Sequence, residues 1–198
     1  MSQPFRVSVS TFNLWGEKFW PERKDALTRT LWTLRSDIFL FQEITPGLLD
    51  HLDKVLSGYE RVKTESREGW MTESNIYWNS NLFDLRDVGF GPLDMSDHPH
   101  RGLFWVRLVL KGSTDKSIFV STAHFPWVGC QTEVESGVNQ RILAATKVCQ
   151  HIRRLVAHDE VAIFAGDLNE DFHPVRILNE ECGFIDVFEA LDLPPPVT

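Results

Sequence analysis

The run Ile38-Phe39-Leu40-Phe41, closed by Gln42-Glu43, is the segment that most constrains how this chain can fold. Consecutive large apolar side chains leave neither face of a strand for water, so this strand needs cover on both sides, as in a layered α/β protein. The neighbouring segments supply covering material. Upstream, residues 7–12 alternate small apolar and polar side chains and predict a strand that ends at Asn13. Pro21 then suits a first helical position, and Leu27, Leu31 and Leu34 recur at helical spacing, predicting a helix over 21–35. Downstream, Thr45 before Pro46 suits an N-cap, and Leu48, Leu49, Leu52, Val55 and Leu56 make the next apolar helix face.

The middle of the chain changes character. Residues 75–78 and 82–85 flank the polar Asn79-Ser80-Asn81 and predict a hairpin, and residues 103–110 and 117–123 flank Lys111-Gly112-Ser113-Thr114-Asp115-Lys116 and predict another. Consecutive hairpins imply antiparallel pairing and argue against a purely parallel sheet. Ile142, Leu143, Val148, Ile152 and Leu155 mark a helix over about 137–157. Val161-Ala162-Ile163-Phe164-Ala165 is expected to be the most strongly buried strand and breaks at Gly166. A short helix near 174–181 and the run 184–188 follow, and the chain ends on Pro194-Pro195-Pro196-Val197-Thr198, which caps nothing obvious.

No linker interrupts these segments, so residues 1–198 read as one domain, a length that can bury its own core. No apolar run is long enough to span a bilayer, and Met1 to Arg6 lead into alternation rather than a secretory stretch, so an intracellular protein, cytoplasmic or nuclear, is expected. The three cysteines, Cys130, Cys149 and Cys182, are far apart and odd in number, which predicts neither a disulfide framework nor a metal knuckle and makes a reducing compartment the default. Acidic residues outnumber basic ones, 28 to 20, which argues against a broad electrostatic grip on nucleic acid. A divalent cation can invert that local field around a phosphate.

Polar groups gather where the predicted strands end: Asn13, Glu43, His124, and the pair Asp167 and Asn169. Each also has an ordinary structural reading. An Asn ending a strand is commonly a turn residue, Asp167-Leu168-Asn169 suits an Asx turn, a Glu after an apolar run suits a solvated edge, and a lone His suits a core or surface position. Four strands ending this way, however, would bring hard oxygen donors to one cleft, and Mg2+ takes one or two carboxylates with open water positions.

At these residues the chain resembles the endonuclease/exonuclease/phosphatase superfamily, the deoxyribonuclease-I-like fold. The motifs are Thr11-Phe12-Asn13-Leu14, Asp37-Ile38-Phe39-Leu40-Phe41-Gln42-Glu43, Ser121-Thr122-Ala123-His124-Phe125 and Ala165-Gly166-Asp167-Leu168-Asn169, in the family's order and covering nearly the whole chain. The resemblance implies an α/β sandwich of two packed, mostly antiparallel sheets flanked by helices. It implies a Mg2+-dependent phosphoesterase, with Mn2+ as a substitute, acting on a phosphodiester. Glu43 becomes the principal metal ligand with Asn13 beside it, Asp167 and Asn169 position the attacking water, and His124 donates to the phosphate. Glu73 and Arg101 are second-rank substrate-binding candidates, expected first at a solvated surface.

Two departures qualify this picture. The family's final Ser-Asp-His segment, whose His is the acid/base group, does not follow Asp167, so the chain reads as C-terminally incomplete with its turnover expected to be impaired, and Ser96-Asp97-His98-Pro99 would replace that segment only in a reordered chain. The segment Ile185 to Leu191 is similar to the tyrosyl-DNA phosphodiesterase branch, but that branch has Trp where this chain has Phe12. Nucleic acid or a DNA adduct is therefore the leading substrate class. The alternatives are an inositol-, sugar- or sphingolipid-phosphate esterase, a non-catalytic phosphate-binding scaffold, and a zinc hydrolase built on His98, His100, His124 and His173. Trp15, Trp20, Trp70 and Trp127 suit either a core or a stacking surface.

Overall fold

In the computed structural model, which describes residues 5–64, 69–113 and 117–194, Ile38–Gln42 forms the second strand (β2), buried along its whole length. Its alternation divides the core. Ile38 and Leu40 point between two sheets, against Ile76, Trp78, Phe104, Val106 and Val120, while Phe39 and Phe41 point outward against Leu31, Leu48, Leu49 and Leu52 of two helices. The two-sided cover demanded by the sequence is thus a sheet on one face and helices on the other.

The first sheet has the order β1-β2-β4-β3, built from β1 (Val9–Asn13), β2, β4 (Ser74–Asn79) and β3 (Tyr59–Arg61). Helices α1 (Trp20–Leu34) and α2 (Pro46–Val55) cover its outer face. Thr45 caps α2 as expected, its hydroxyl accepting the Leu48 amide at 3.3 Å. A single turn, α3 (Gly69–Thr72), leads into β4. The second sheet has the order β5-β6-β7-β8, from β5 (Phe83–Pro92), β6 (Gly102–Leu110), β7 (Ser117–Thr122) and β8 (Val161–Phe164). Its outer face, carrying Leu103, Trp105 and Phe119, is covered by α5 (Gln140–Leu155) and α6 (His173–Cys182). The helices α4 (Gln131–Ser136) and α7 (Val187–Ala190) complete the elements of the described residues. The pairings β1·β2 and β7·β8 are parallel and the other four are antiparallel.

Three expectations are corrected. Residues 75–78 and 82–85 do not pair with each other. The Asn79–Asn81 turn carries the chain from one sheet to the other, because Ile76, Trp78 and Phe83 all enter the same inter-sheet core. The run 161–165 is not the most buried strand: β8 lies at the edge of its sheet, pairs only with β7 among the described residues, and leaves Val161 59 % exposed. Apolar composition reports what a strand can bury, not where it stands in the sheet order. Finally, Cys149 and Cys182 form a disulfide, because α5 and α6 pack side by side and bring their Cα atoms to 5.2 Å. A separation of 33 residues gave no local sign of that contact. Cys130 is free and buried, and the expectation of a reducing compartment loses its cysteine argument. The opening Met1 to Pro4, Thr114, Asp115 and Lys116 of the expected hairpin turn, and the terminal Pro195 to Thr198 lie outside the described residues. Among the described residues, no helix is long and apolar enough to cross a membrane.

Candidate active site

Topology brings the predicted residues to one pole. The parallel pair β1·β2 delivers Asn13 and Glu43 from adjacent C-terminal ends, and the parallel pair β7·β8 does the same for His124 and Asp167. The antiparallel strands β4 and β6 begin at that pole, which places Glu73 and Arg101 there as the residues just before them. Gln42 ties the halves together underneath: its amide donates to Thr11 of β1 at 3.1 Å and to Thr122 of β7 at 2.8 Å. In the sequence Gln42 stands out only as part of the polar close of the apolar run. A carboxamide closing an otherwise apolar buried strand is the signal that would have marked it as a bridge, since a buried amide needs partners.

Beyond the regular strands, β7 and β8 remain in register through the site. The Asp167 amide donates to Ala123 O at 3.1 Å, and the Phe125 amide donates to Asp167 O at 2.8 Å. Gly166 sits between them, where a Cβ would collide with the carbonyl oxygen of Ala123. Gly166→Ala is therefore expected to separate the strand ends and lower stability by about 1–3 kcal/mol, the scale of an overpacked interior. Denaturant melts read this directly, and an unchanged midpoint would contradict it.

The side chains converge. Asn13 Nδ2 donates to Glu43 Oε1 and to Asp167 Oδ2, each at 2.8 Å, so one amide holds two acids from different sheets. Its Oδ1 accepts the Trp15 amide at 2.8 Å, which fixes the amide's orientation and presents N–H, not carbonyl, to the acids. His124 is almost fully buried, with Nδ1 2.9 Å from Glu73 Oε1 and Nε2 3.7 Å from Glu43 and 3.9 Å from Asp167. Arg101 Nε lies 3.1 Å from the same Glu73 oxygen, at an angle that makes an ion pair rather than a hydrogen bond. Asn169 donates to Phe125 O at 2.8 Å, and Arg101 reaches that carbonyl at 2.9 Å, so both lock the segment after His124.

The surface reading of Glu73 and Arg101 is overturned: their side chains are 16 % and 7 % exposed. Position before a strand is read in sequence as a loop, but these strands start inside the pole where both sheets meet. Burial pushes the Glu73 carboxyl up, yet the His124 hydrogen bond and the charge of Arg101 outweigh it and hold the group below the usual carboxylate range. Burial presses the Arg101 guanidinium down, opposed by the carboxylates of Glu73, Glu43 and Asp167. With Glu73 ionised, His124 must donate through Nδ1, so Nε2 can donate to an anion only as the imidazolium.

The donor set fits a hard divalent cation in chemistry. Glu43 and Asp167 have no Lys or Arg ion pair among the described residues, and Mg2+ requires only one or two carboxylates because it keeps several waters. The described residues contain no cluster of three His, Cys, Asp or Glu arranged for a metal, so the four histidines of the zinc reading are not gathered into one. Of the four tryptophans weighed as stacking residues, Trp70 is buried, Trp20 is half-buried, and Trp15 and Trp127 are each 48 % exposed.

Compared by sequence, the chain matches no protein-family profile and no curated protein. Compared by structure, it superimposes on D. rerio TDP2 complexed with single strand DNA product at TM-score 0.76, with 19 % identity, covering 93 % of this chain and 70 % of that one. The human Nocturnin catalytic domain with bound sulfate anion gives 0.75 and 15 % identity over 96 % of this chain and 76 % of that one. The chain has the deoxyribonuclease-I-like fold of the endonuclease/exonuclease/phosphatase superfamily. A Bacteroides thetaiotaomicron mannosyl-6-phosphatase shares it at 0.68 and 21 % identity, over 84 % of this chain and 66 % of that one. In this chain the superfamily fold is braced behind the site by Arg141. That side chain is buried, pairs with both oxygens of Glu133 at 2.6 and 2.9 Å, and donates to Glu170 at 2.8 Å.

Glu170 also accepts from Asn139 and from His173. Burial pushes its carboxyl up, but these hydrogen bonds prevail and hold it at about 2, against an ordinary 4.5. A depressed folded-state value means stability that is fully present above the unfolded value and is lost as pH falls from 4.5 towards 2. Melts of the wild type and Glu170→Gln should therefore converge across that window. A gap that stays constant from pH 6 to about 3 would contradict the assignment.

Proposed function

We propose that this pole hydrolyses phosphate esters with Mg2+, or Mn2+ in its place, and that its substrate is a phosphodiester of single-stranded nucleic acid or a DNA adduct. The observation that carries the reading is the pair Glu43 and Asp167, delivered by separate sheets, held by one Asn13 amide and backed by buried His124. The neighbours support the substrate class: TDP2 is complexed with a DNA product, and Nocturnin holds a sulfate, a tetrahedral anion.

Glu43 and Asp167 would hold the cation, which when bound supplies charge that offsets the phosphate oxygens and polarises phosphorus. Asp167 accepts the Asn169 amide through Oδ1 and the Asn13 amide through Oδ2; held in this way beside the cation it would orient an attacking water, whose proton the bound cation would make acidic enough to pass to solvent. His124, its ring held at Nδ1 by Glu73, would present Nε2 to a non-bridging oxygen of the phosphate. Arg101 keeps Glu73 ionised and fixes the backbone after His124, and so acts on the phosphate through its neighbours.

Hydrolysis of bis-(p-nitrophenyl) phosphate tests the reading. The expected rate depends on added Mg2+, disappears with EDTA and returns with excess metal. A rate indistinguishable from buffer, or one indifferent to EDTA, would overturn it and favour the phosphate-binding scaffold. Preference for mannose 6-phosphate over the diester would favour a sugar phosphatase, as in the Bacteroides neighbour.

A further inference from the structure

The loop between β1 and α1 has a feature that the hydrolytic residues do not use. Trp15 and Phe19 are 48 % and 59 % exposed, and their rings lie 5.8 Å apart. The Lys18 ammonium sits 4.1 Å above the Trp15 ring and has no carboxylate partner among the described residues. Trp15, Gly16 and Phe19 all adopt left-handed backbone, with φ of 55°, 52° and 52°. Glycine takes that conformation freely, but a bulky aromatic residue takes it at a cost that the surroundings must impose.

The surroundings do impose it. Arg23 donates to the carbonyls of Leu14, Gly16 and Lys18 at 2.8, 3.0 and 2.8 Å. Thr45 donates to Glu17 at 3.0 Å, and the Gly16 amide donates to Glu43 O at 3.0 Å. The Trp15 amide donates to Asn13 Oδ1, the side chain that joins the two acids. A rigid loop therefore holds two exposed aromatic rings and a cation in fixed relation to the candidate active site. A loop needed only as a connection would carry Gly or Asn at its left-handed positions and no aromatic surface.

We propose that Trp15 and Phe19, with Lys18, form a stacking platform for the nucleobase attached to the reacting phosphate. A base supplies the planar π-face that an indole accepts, and its phosphate supplies the negative charge that Lys18 lacks. The proposal rests on the phosphodiesterase reading and adds what that reading leaves open, the group on the substrate that is recognised.

Two p-nitrophenyl esters with the same leaving group separate the cases: the thymidine 5′-ester and the methyl ester. Trp15→Ala is expected to lower kcat/KM for the thymidine ester about tenfold, the scale of one base–aromatic stack, mostly through KM. The methyl ester should change less than about twofold, and Trp15→Phe should restore most of the loss. Equal losses on both esters, or no loss on either, would overturn the platform.

A second measurement needs no turnover: anisotropy of a labelled thymidine octanucleotide in EDTA. Weaker binding by Trp15→Ala, again by about tenfold, supports the platform even if neither ester is hydrolysed, in which case the hydrolase reading alone fails. Unchanged affinity overturns the platform while leaving hydrolysis standing.

Discussion

Asp167→Asn is expected to slow Mg2+-dependent hydrolysis of bis-(p-nitrophenyl) phosphate by about 10²- to 10⁴-fold while the fold persists. The substitution is nearly isosteric. It keeps an oxygen to accept the Asn169 amide, and the backbone bonds to Ala123 and Phe125 do not involve the side chain. What it removes is the negative charge and the oxygen that faces Asn13 Nδ2, which would then meet a second donor. Because Asp167 is 28 % exposed, the rearrangement is solvated and costs little stability. Steady-state rates and a thermal melt on the same preparation separate the two effects. Wild-type turnover by the variant would remove Asp167 from the chemistry, and a collapsed melt would make it a structural residue.

Arg141→Met is expected to have the largest effect on stability. Arg141 is buried at 2 % exposure and satisfies Glu133, Glu170 and the carbonyl of Trp127 at 3.2 Å. Methionine fills similar volume but leaves two partly buried carboxylates without their counter-charge, a loss of about 3 kcal/mol, or roughly 6–12 °C in Tm for a chain of this length. The loss has a functional consequence as well. Arg141 spans the segment after His124 and the segment after Asn169, so the two sides of the site should loosen together. Adding Glu133→Gln to the variant should recover part of the melting temperature by removing one stranded charge. A variant that melts with the wild type would show that the brace carries no load.

Much of this architecture was legible along the chain because it is written in local periodicity. The unbroken apolar run of β2, the leucine spacing of α1 and α2, and the Thr45-Pro46 cap each dictate their element from nearest neighbours alone. The gathering of Asn13, Glu43, His124 and Asp167 was legible for a related reason: parallel neighbours end at the same pole, so polar strand ends converge when the strands pair. What escaped was set by long-range order. The 79–81 turn looks like a hairpin until both flanking strands are found to need the same core from opposite sheets. β8 looks interior until its place at the edge of its sheet, beside β7 alone among the described residues, is known. Glu73 and Arg101 look like loop residues until antiparallel pairing turns their strands to start at the site. Cys149 and Cys182 meet only because two helices share one sheet face.

Glu43 and Asp167 are proposed to hold one divalent cation between them. Calorimetric titration of Mg2+ into the wild type and into Glu43→Ala tests it most directly, without requiring any substrate. One saturable site is expected in the wild type, and its loss in the variant. No heat of binding in the wild type, or the same isotherm in both proteins, would contradict it.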